Sequence, residues 1–178
     1  AGDVDGAGRA ALVIGFGAGG AGRVEIRDDR TANYATLAIL TIPFPSYNAA
    51  RGAVWPAAGD VDGDGRAEAV LGLERGGNGL FYVFDDQSGG FSPKGSGRMF
   101  WAAYNGAVGE VRPAVGDFDG DLRGEVALTT GVYPVAGGMV EFLEDQVGAF
   151  AHVAWRRYTD IPYRNANGEL FPAAGNCR

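Results

Sequence analysis

The sequence predicts an all-β chain made of three tandem copies of one four-stranded antiparallel unit. Three observations carry that expectation. The phrase Gly-Asp-Val-Asp-Gly stands at 2–6 and 59–63, and Gly-Asp-Phe-Asp-Gly at 116–120. Its starts, Gly2, Gly59 and Gly116, are separated by 57 and 57 residues, and Ala174-Gly175-Asn176 opens a fourth copy with Gly175 a further 59 residues on. A period this even means that one supersecondary unit has been copied in tandem. Between the phrases, short runs rich in Val, Ile, Phe and Tyr alternate with Gly, Asp and Asn, which is the pattern of strands joined by turns.

Within each unit the elements follow in a fixed order. The acidic turn comes first. An apolar run follows at Ala11–Gly15, Glu68–Leu73 and Glu125–Thr129, then a Gly-rich turn at Gly17–Gly22, Gly76–Gly79 and Gly131–Gly138. The next runs, Arg23–Arg27, Leu80–Phe84 and Met139–Leu143, alternate. One face is apolar in each copy: Val24 and Ile26, Phe81 and Val83, Val140 and Phe142. A period of two with one face held apolar predicts a strand with that face in the core. Acidic pairs close these strands at Asp28-Asp29, Asp85-Asp86 and Glu144-Asp145.

A further strand is expected at about Ala35–Ile42, Phe91–Phe100 and Phe150–Tyr158. Its middle copy holds Pro93, Gly95 and Gly97, which suits a sheet edge. A connecting loop carries Tyr47-Asn48, Tyr104-Asn105, and Tyr163 near Asn165. Last comes a Pro-led run of small residues, Pro56–Gly59, Pro113–Gly116 and Pro172–Gly175, expected as an inner strand leading into the next acidic turn. Four strands in about 57 residues, repeated around an axis, make propeller-type blades. The units run 2–58, 59–115 and 116–174, in a single repeat domain over 1–178. Three blades are too few to close a ring within one chain.

Composition narrows the function. The 178 residues suffice for a real core, and 46% apolar content argues against disorder. A formal charge of −7 makes nucleic acid a poor partner. No apolar run approaches the length of a membrane helix. The chain begins without Met and shows no signal peptide, as a mature or trimmed product would. The lone Cys177 reads either as an uninvolved thiol or as a bridge to a neighbouring chain.

The acidic turn carries the chemistry. In the second copy Asp60, Asp62, Asp64 and Glu68 stand at positions 1, 3, 5 and 9, with the Arg66 carbonyl at position 7. In the third, Asp117, Asp119, Asp121 and Glu125 repeat the set, with the Arg123 carbonyl. All-oxygen donors without His or Cys suit Ca²⁺ rather than Zn²⁺. An EF-hand also begins this way, but it requires a bidentate Glu at position 12 and flanking helices. Here position 12 is Leu71 or Leu128, between strands. The first copy keeps Asp3 and Asp5, with Arg9 at position 7, but has Ala7 and Ala11 at positions 5 and 9. It is expected to bind weakly or not at all. Leu122 replaces the Gly65 of the second copy, at a cost of roughly 1 kcal/mol if that position is left-handed.

Gly59–Gly72 resembles the FG-GAP/VCBS repeat of integrin-α-like propellers closely, Gly116–Leu128 well and Gly2–Gly15 in part, so the likeness covers essentially the whole chain. The resemblance implies Ca²⁺ held between the first two strands of each blade, in proteins usually found outside the cytoplasm or on the cell surface. Family members include adhesion heads and lectins. The first blade lacks the strand before its turn, whereas 171–178 reads as an orphan strand with no blade of its own. Together they suggest head-to-tail pairing into a filament, tube or ring.

The leading expectation is therefore a calcium-binding extracellular structural protein whose main partner is itself. The alternative is a lectin or adhesion module whose aromatics Trp55, Trp101, Tyr104 and Tyr163 stack on glycans or meet surface proteins. An enzyme is disfavoured: His152 is the only histidine and lies on an outer strand, and no Ser or Cys nucleophile has a recognisable base.

Overall fold

A computed structural model describes residues 1–28, 33–86, 90–133, 137–144 and 150–174. The chain forms three antiparallel sheets in sequence. The first, ordered β1-β2-β3, holds β1 (Leu12–Gly15), β2 (Arg23–Asp28) and β3 (Ala35–Thr41). The second runs β4 (Val54–Gly59), β5 (Glu68–Leu73), β6 (Leu80–Asp85) and β7 (Ser92–Arg98). The third runs β8 (Val111–Gly116), β9 (Glu125–Thr130), β10 (Met139–Glu144) and β11 (Ala151–Arg157). Every strand expected from an apolar or alternating run is present to within about two residues. The acidic hairpin residues Asp29 and Asp145, and Gly175, Asn176 and Cys177, lie outside the described residues.

The strand leading into each acidic turn belongs to the sheet that follows it. β4 pairs with β5 from Val54↔Leu73 to Gly59↔Glu68, and β8 with β9 from Val111↔Thr130 to Gly116↔Glu125. In the first copy only the bridge Gly2↔Ala11 remains of this pairing. β4 and β8 are edge strands, so Pro56 and Pro113 leave no ladder bond unmade. β7 is also an edge, as its Pro93 and glycines predict. Gly97 is required there because a Cβ would fall 2.5 Å from the Phe81 ring.

The outermost pair of strands in each sheet slips register at the same place: Ile26/Arg27, Val83/Phe84 and Phe142/Leu143. The extra residue in the outer strand is Leu37, Lys94 or Val153. Such a bulge re-aims the side chain it carries.

Three expectations are corrected. The Tyr-Asn connecting loops hold six-residue helices, α1 (Pro45–Ala50), α2 (Ala102–Ala107) and α3 (Ile161–Ala166). They are too short for helical periodicity to register in the sequence. Val140 and Phe142 are only half-buried, whereas Val24, Ile26, Phe81 and Val83 are fully buried. The difference arises because the first two pairs lie in cores shared with the following sheet, and the third sheet is covered on that side only in part, by 170–173. Those residues themselves carry no ladder pairing, although the Leu170 N–H donates to Thr130 O at 3.0 Å. That bond repeats the one from Val54 N–H to Phe16 O at 2.9 Å, so the segment lies on the third sheet as β4 lies on the first.

Each helix carries a tyrosine that bonds the segment after it, and the first two latch consecutive sheets. The Tyr104 hydroxyl donates to Glu110 O at 2.6 Å and accepts from Gly131 N–H at 2.8 Å. Tyr47 does the same with Ala53 O at 2.5 Å and Glu74 N–H at 2.9 Å, and burial pushes its pKa up to about 12. Tyr163 donates to Glu169 O at 2.6 Å but is 39% exposed. Tyr104→Phe strands two buried backbone groups and should cost about 1–3 kcal/mol in denaturant melts. Tyr163→Phe, with its carbonyl near water, should cost under about 1 kcal/mol. Equal losses for the two would show that the latch is not what holds the sheets.

Candidate metal centre

Each acidic turn curls because its aspartates bind its own backbone. In the second turn the two Asp60 oxygens accept from Gly63 N–H at 2.7 Å and Gly65 N–H at 2.9 Å. Asp62 accepts from Asp64 N–H at 3.1 Å, and Asp64 from Arg66 N–H at 2.8 Å. The third turn repeats the pattern with Asp117 on Gly120 and Leu122, Asp119 on Asp121, and Asp121 on Arg123. Gly65 and Leu122 both adopt left-handed backbone, at φ 89° and 76°. The strain expected at Leu122 is therefore present, at roughly 1 kcal/mol.

The glutamate closes each turn from below. Glu68 Oε2 accepts from Val61 N–H at 2.7 Å, and Glu125 Oε2 from Phe118 N–H at 2.6 Å. The other oxygen of each, Oε1, is buried and has no hydrogen-bond partner. Glu68 is wholly buried and Glu125 is 6% exposed. A buried carboxylate oxygen with no donor is costly unless a cation meets it. Burial pushes the Glu68 pKa up to about 8, only partly offset by the Val61 N–H, and Asp62, Asp85 and Asp60 raise it further. Burial also raises Glu125, against the Phe118 N–H and reinforced by Asp119.

The two turns differ in what converges. In the third, Asp117, Asp119, Asp121 and Glu125 each place one oxygen within 4.8 Å of all the others. In the second, Asp60, Asp62 and Glu68 do so, while Asp64 stands apart. The second turn has a cation of its own: Lys94 Nζ lies 2.6 Å from Asp62 Oδ2 and 3.6 Å from Asp85 Oδ2. Burial pulls the Lys94 pKa down, but the bond to Asp62 and the charges of Asp62, Asp85 and Glu68 outweigh it and leave a net rise. Lys94 is the bulge residue of β7. Its counterparts Leu37 and Val153 carry no charge. Sequence reading missed it, although it is the chain's single lysine.

In the first turn Asp3 accepts from Gly8 N–H at 2.8 Å and Asp5 from Ala7 N–H at 3.0 Å. The loop shape survives with half the carboxylates. The side chains of Arg66 and Arg123 reach back over the preceding turn, beside Gly6 and Gly63 respectively. Arg66 also donates to Asp86 O at 3.1 Å.

The aromatics proposed as sugar platforms are engaged in packing. Trp101 stacks on Tyr104 at 5.4 Å, and Tyr133 meets both edge-on. Tyr104 is fully buried. Trp55 lies under the Arg112 guanidinium at 4.7 Å, and Tyr163 packs edge-on against Tyr158 at 6.0 Å. His152 Nδ1 lies 2.9 Å from the buried Glu141, whose other oxygen accepts from Phe100 N–H at 2.9 Å. This cross-strand pair was not visible in the sequence, because it depends on the β10–β11 register. No protein-family model and no curated protein matches the sequence.

The Glu68 shift has a testable sign. Its pKa of about 8 in the folded state exceeds the ordinary 4.5, so the folded chain holds the extra proton. With a chelator present, the Glu68 contribution should be most favourable below about pH 4.5 and should be lost progressively as the pH rises to about 8. The difference in melting temperature between wild type and Glu68→Gln should therefore widen across that window. A constant difference would mean that Glu68 ionises normally in the fold.

Proposed function

We propose that the chain is a calcium-stabilised structural protein that assembles head to tail outside the cytoplasm, as a filament, tube or ring of propeller-type blades. The sheets correspond to the blades, the first being one strand short. The observation that carries this reading is the position of 168–174. Gly168 meets Gly137 and Gly138 as Gly52 meets Ala21 and Gly22, and Ala174 lies against Gly116 as Ala58 lies against Gly2. The segment thus occupies the place of an inner strand but pairs with no sheet of its own among the described residues. The first sheet has an inner edge at β1 that takes such a strand. Phe171-Pro172-Ala173-Ala174 also matches the Trp55-Pro56-Ala57-Ala58 of β4 in kind.

Calcium suits the turns for a separate reason. A hard dication at each would meet the unpartnered oxygen of Glu68 or Glu125 and relieve the repulsion among the aspartates around it. Asp60, Asp62 and Glu68 would hold one ion, and Asp117, Asp119, Asp121 and Glu125 another. Neutralised turns clamp the first two strands of a blade, so ion binding adds to folding stability. The resemblance to FG-GAP/VCBS repeats favours the same ion and a location where it is plentiful. The lectin alternative has less support, since Trp55, Trp101 and Tyr104 are occupied by contacts within the chain. No helix among the described residues is long and apolar enough to cross a membrane.

Light scattering tests the reading directly. Particles much larger than the 18.5 kDa chain are expected in millimolar calcium, and chelator should shrink them. A single-chain species under both conditions would refute assembly. Calorimetric titration should resolve two unequal calcium sites, with Glu125→Gln abolishing the tighter one. Lys94→Met should raise affinity at the second turn about tenfold, because an ammonium no longer competes for Asp62, and should lower the melting temperature in chelator. Lys94→Arg should behave like wild type. An unchanged isotherm for Lys94→Met would mean that lysine and ion share Asp62 without conflict.

A further inference from the structure

Contacts between consecutive sheets recur with the repeat, and three of them end half-made on opposite sides of the molecule. The first is a stack along the second residue of each inner segment. The Arg112 guanidinium lies 4.7 Å from the Trp55 ring centroid on one side and 4.0 Å from the Phe171 centroid on the other. Arg112 is also paired with Glu110 at 2.7 Å and with Glu169. Beyond it, Phe171 is 69% exposed.

The second contact is an arginine laid over the preceding acidic turn. A Cβ on Gly6 would fall 3.2 Å from Arg66 Nε, and one on Gly63 would fall 3.1 Å from Arg123 Cγ. Among the described residues, nothing lies within 4 Å of a Cβ placed on the matching Gly120 of the third turn. Arg9 is the arginine at that position in the first copy, and it is exposed.

The third contact is apolar. Val24 and Ile26, then Phe81 and Val83, are buried in the cores formed with the following sheet. Val140 and Phe142 instead line a groove with Phe118 and Phe171. On the opposite side, Leu12 and Ile14 occupy in β1 the positions that the fully buried Ala69 and Leu71 occupy in β5. They are 41% and 38% exposed.

We infer that the β1 side of one copy seats on the third-sheet side of another as one more instance of the interface between sheets inside the chain. This rests on the head-to-tail reading and specifies its contact surface. Phe171 is then clamped between Arg112 of its own copy and Trp55 of the next. Arg9 of the next copy lies over Gly120, bringing a cation to the acidic third turn. Leu12 and Ile14 close over Val140 and Phe142. The register follows from Trp55↔Gly72 and Arg112↔Thr129, which place Phe171 opposite Gly15 and Pro172 opposite Ile14. The third turn therefore lies in the junction, whereas the second is covered by Arg123 within the chain. A second copy suits this surface because the same three contacts already join sheets in this sequence, and because the charges of Arg9 and the third turn are complementary.

Two half-blocked variants test the inference. Phe171→Glu blocks the tail and leaves the head intact, whereas Arg9→Glu does the reverse. Each single chain should still unfold cooperatively, which a thermal melt checks before assembly is scored. In calcium each variant alone should remain one chain, and an equimolar mixture should form one-to-one pairs of twice the chain mass. The milder Phe171→Ala and Arg9→Ala should each weaken assembly about tenfold. Variants that assemble as wild type does would overturn this junction while leaving self-assembly standing. A mixture that stays unpaired would overturn its polarity. Wild type that never assembles would remove the underlying reading instead, and native material in which a segment preceding Ala1 pairs with β1 would replace the second copy as occupant.

Discussion

The close approach of each inner segment to the sheet before it sets the register of everything else. β4 crosses the end of β1 so tightly that a Cβ on Gly15 would fall 2.2 Å from Val54 O, and β8 does the same to Gly72 and Val111 O. At the third position the residue is Thr129, whose hydroxyl reaches Leu170 O at 3.1 Å. β4 and β8 thus each belong to one sheet through their ladder and to the previous sheet through this contact, and 168–174 keeps only the second of these. The tyrosine latches fix the same overlap from the helix side. Cores form between consecutive sheets, not within one, and a single sheet could not bury its apolar face alone.

The acidic turns inherit their geometry from that overlap. An inner segment ends at Gly59 or Gly116, and the turn begins at the next residue. The strand pairing that ends in Gly59↔Glu68 or Gly116↔Glu125 carries the glutamate beneath the loop it closes. Its buried, unpartnered oxygen is a consequence of strand register, while the aspartates above are held by their own backbone N–H groups. On the proposed reading an ion joins these two layers, so metal affinity and the pairing of the first two strands reinforce each other. The first turn shows the loop without this lower layer, because Ala11 stands where the glutamate would be.

Most of the fold was legible because strands of period two separated by Gly and Asp turns leave a strong local signal, repeated three times. The carboxylates of the third turn were legible from their spacing at positions 1, 3, 5 and 9, although the same spacing leaves Asp64 of the second turn outside its cluster. What could not be read depends on distant partners. The short helices span fewer than two turns. The half-burial of Val140 and Phe142 is decided by what covers their sheet, not by their own alternation. Lys94 looks in sequence like an edge residue beside Pro93, and only the bulge between Val83 and Phe84 turns it toward Asp62 and Asp85. The Glu141–His152 pair likewise exists only through a cross-strand register.

The two complete turns have diverged in opposite ways, and the divergence follows from local energetics. The second keeps Gly65 at its left-handed position and has gained an internal ammonium. That ammonium compensates Asp62 and Asp85 whether or not an ion is present. The third accepts strain at Leu122, and all four of its carboxylates converge. Strain of roughly 1 kcal/mol at Leu122 is tolerable because Asp117 holds the loop through Gly120 and Leu122 together. A loop in which four carboxylates converge gains more from a dication than one in which three converge beside a lysine. On the proposed reading the third turn is therefore the one that gains more from an ion, and it is also the turn that the inferred junction places between copies.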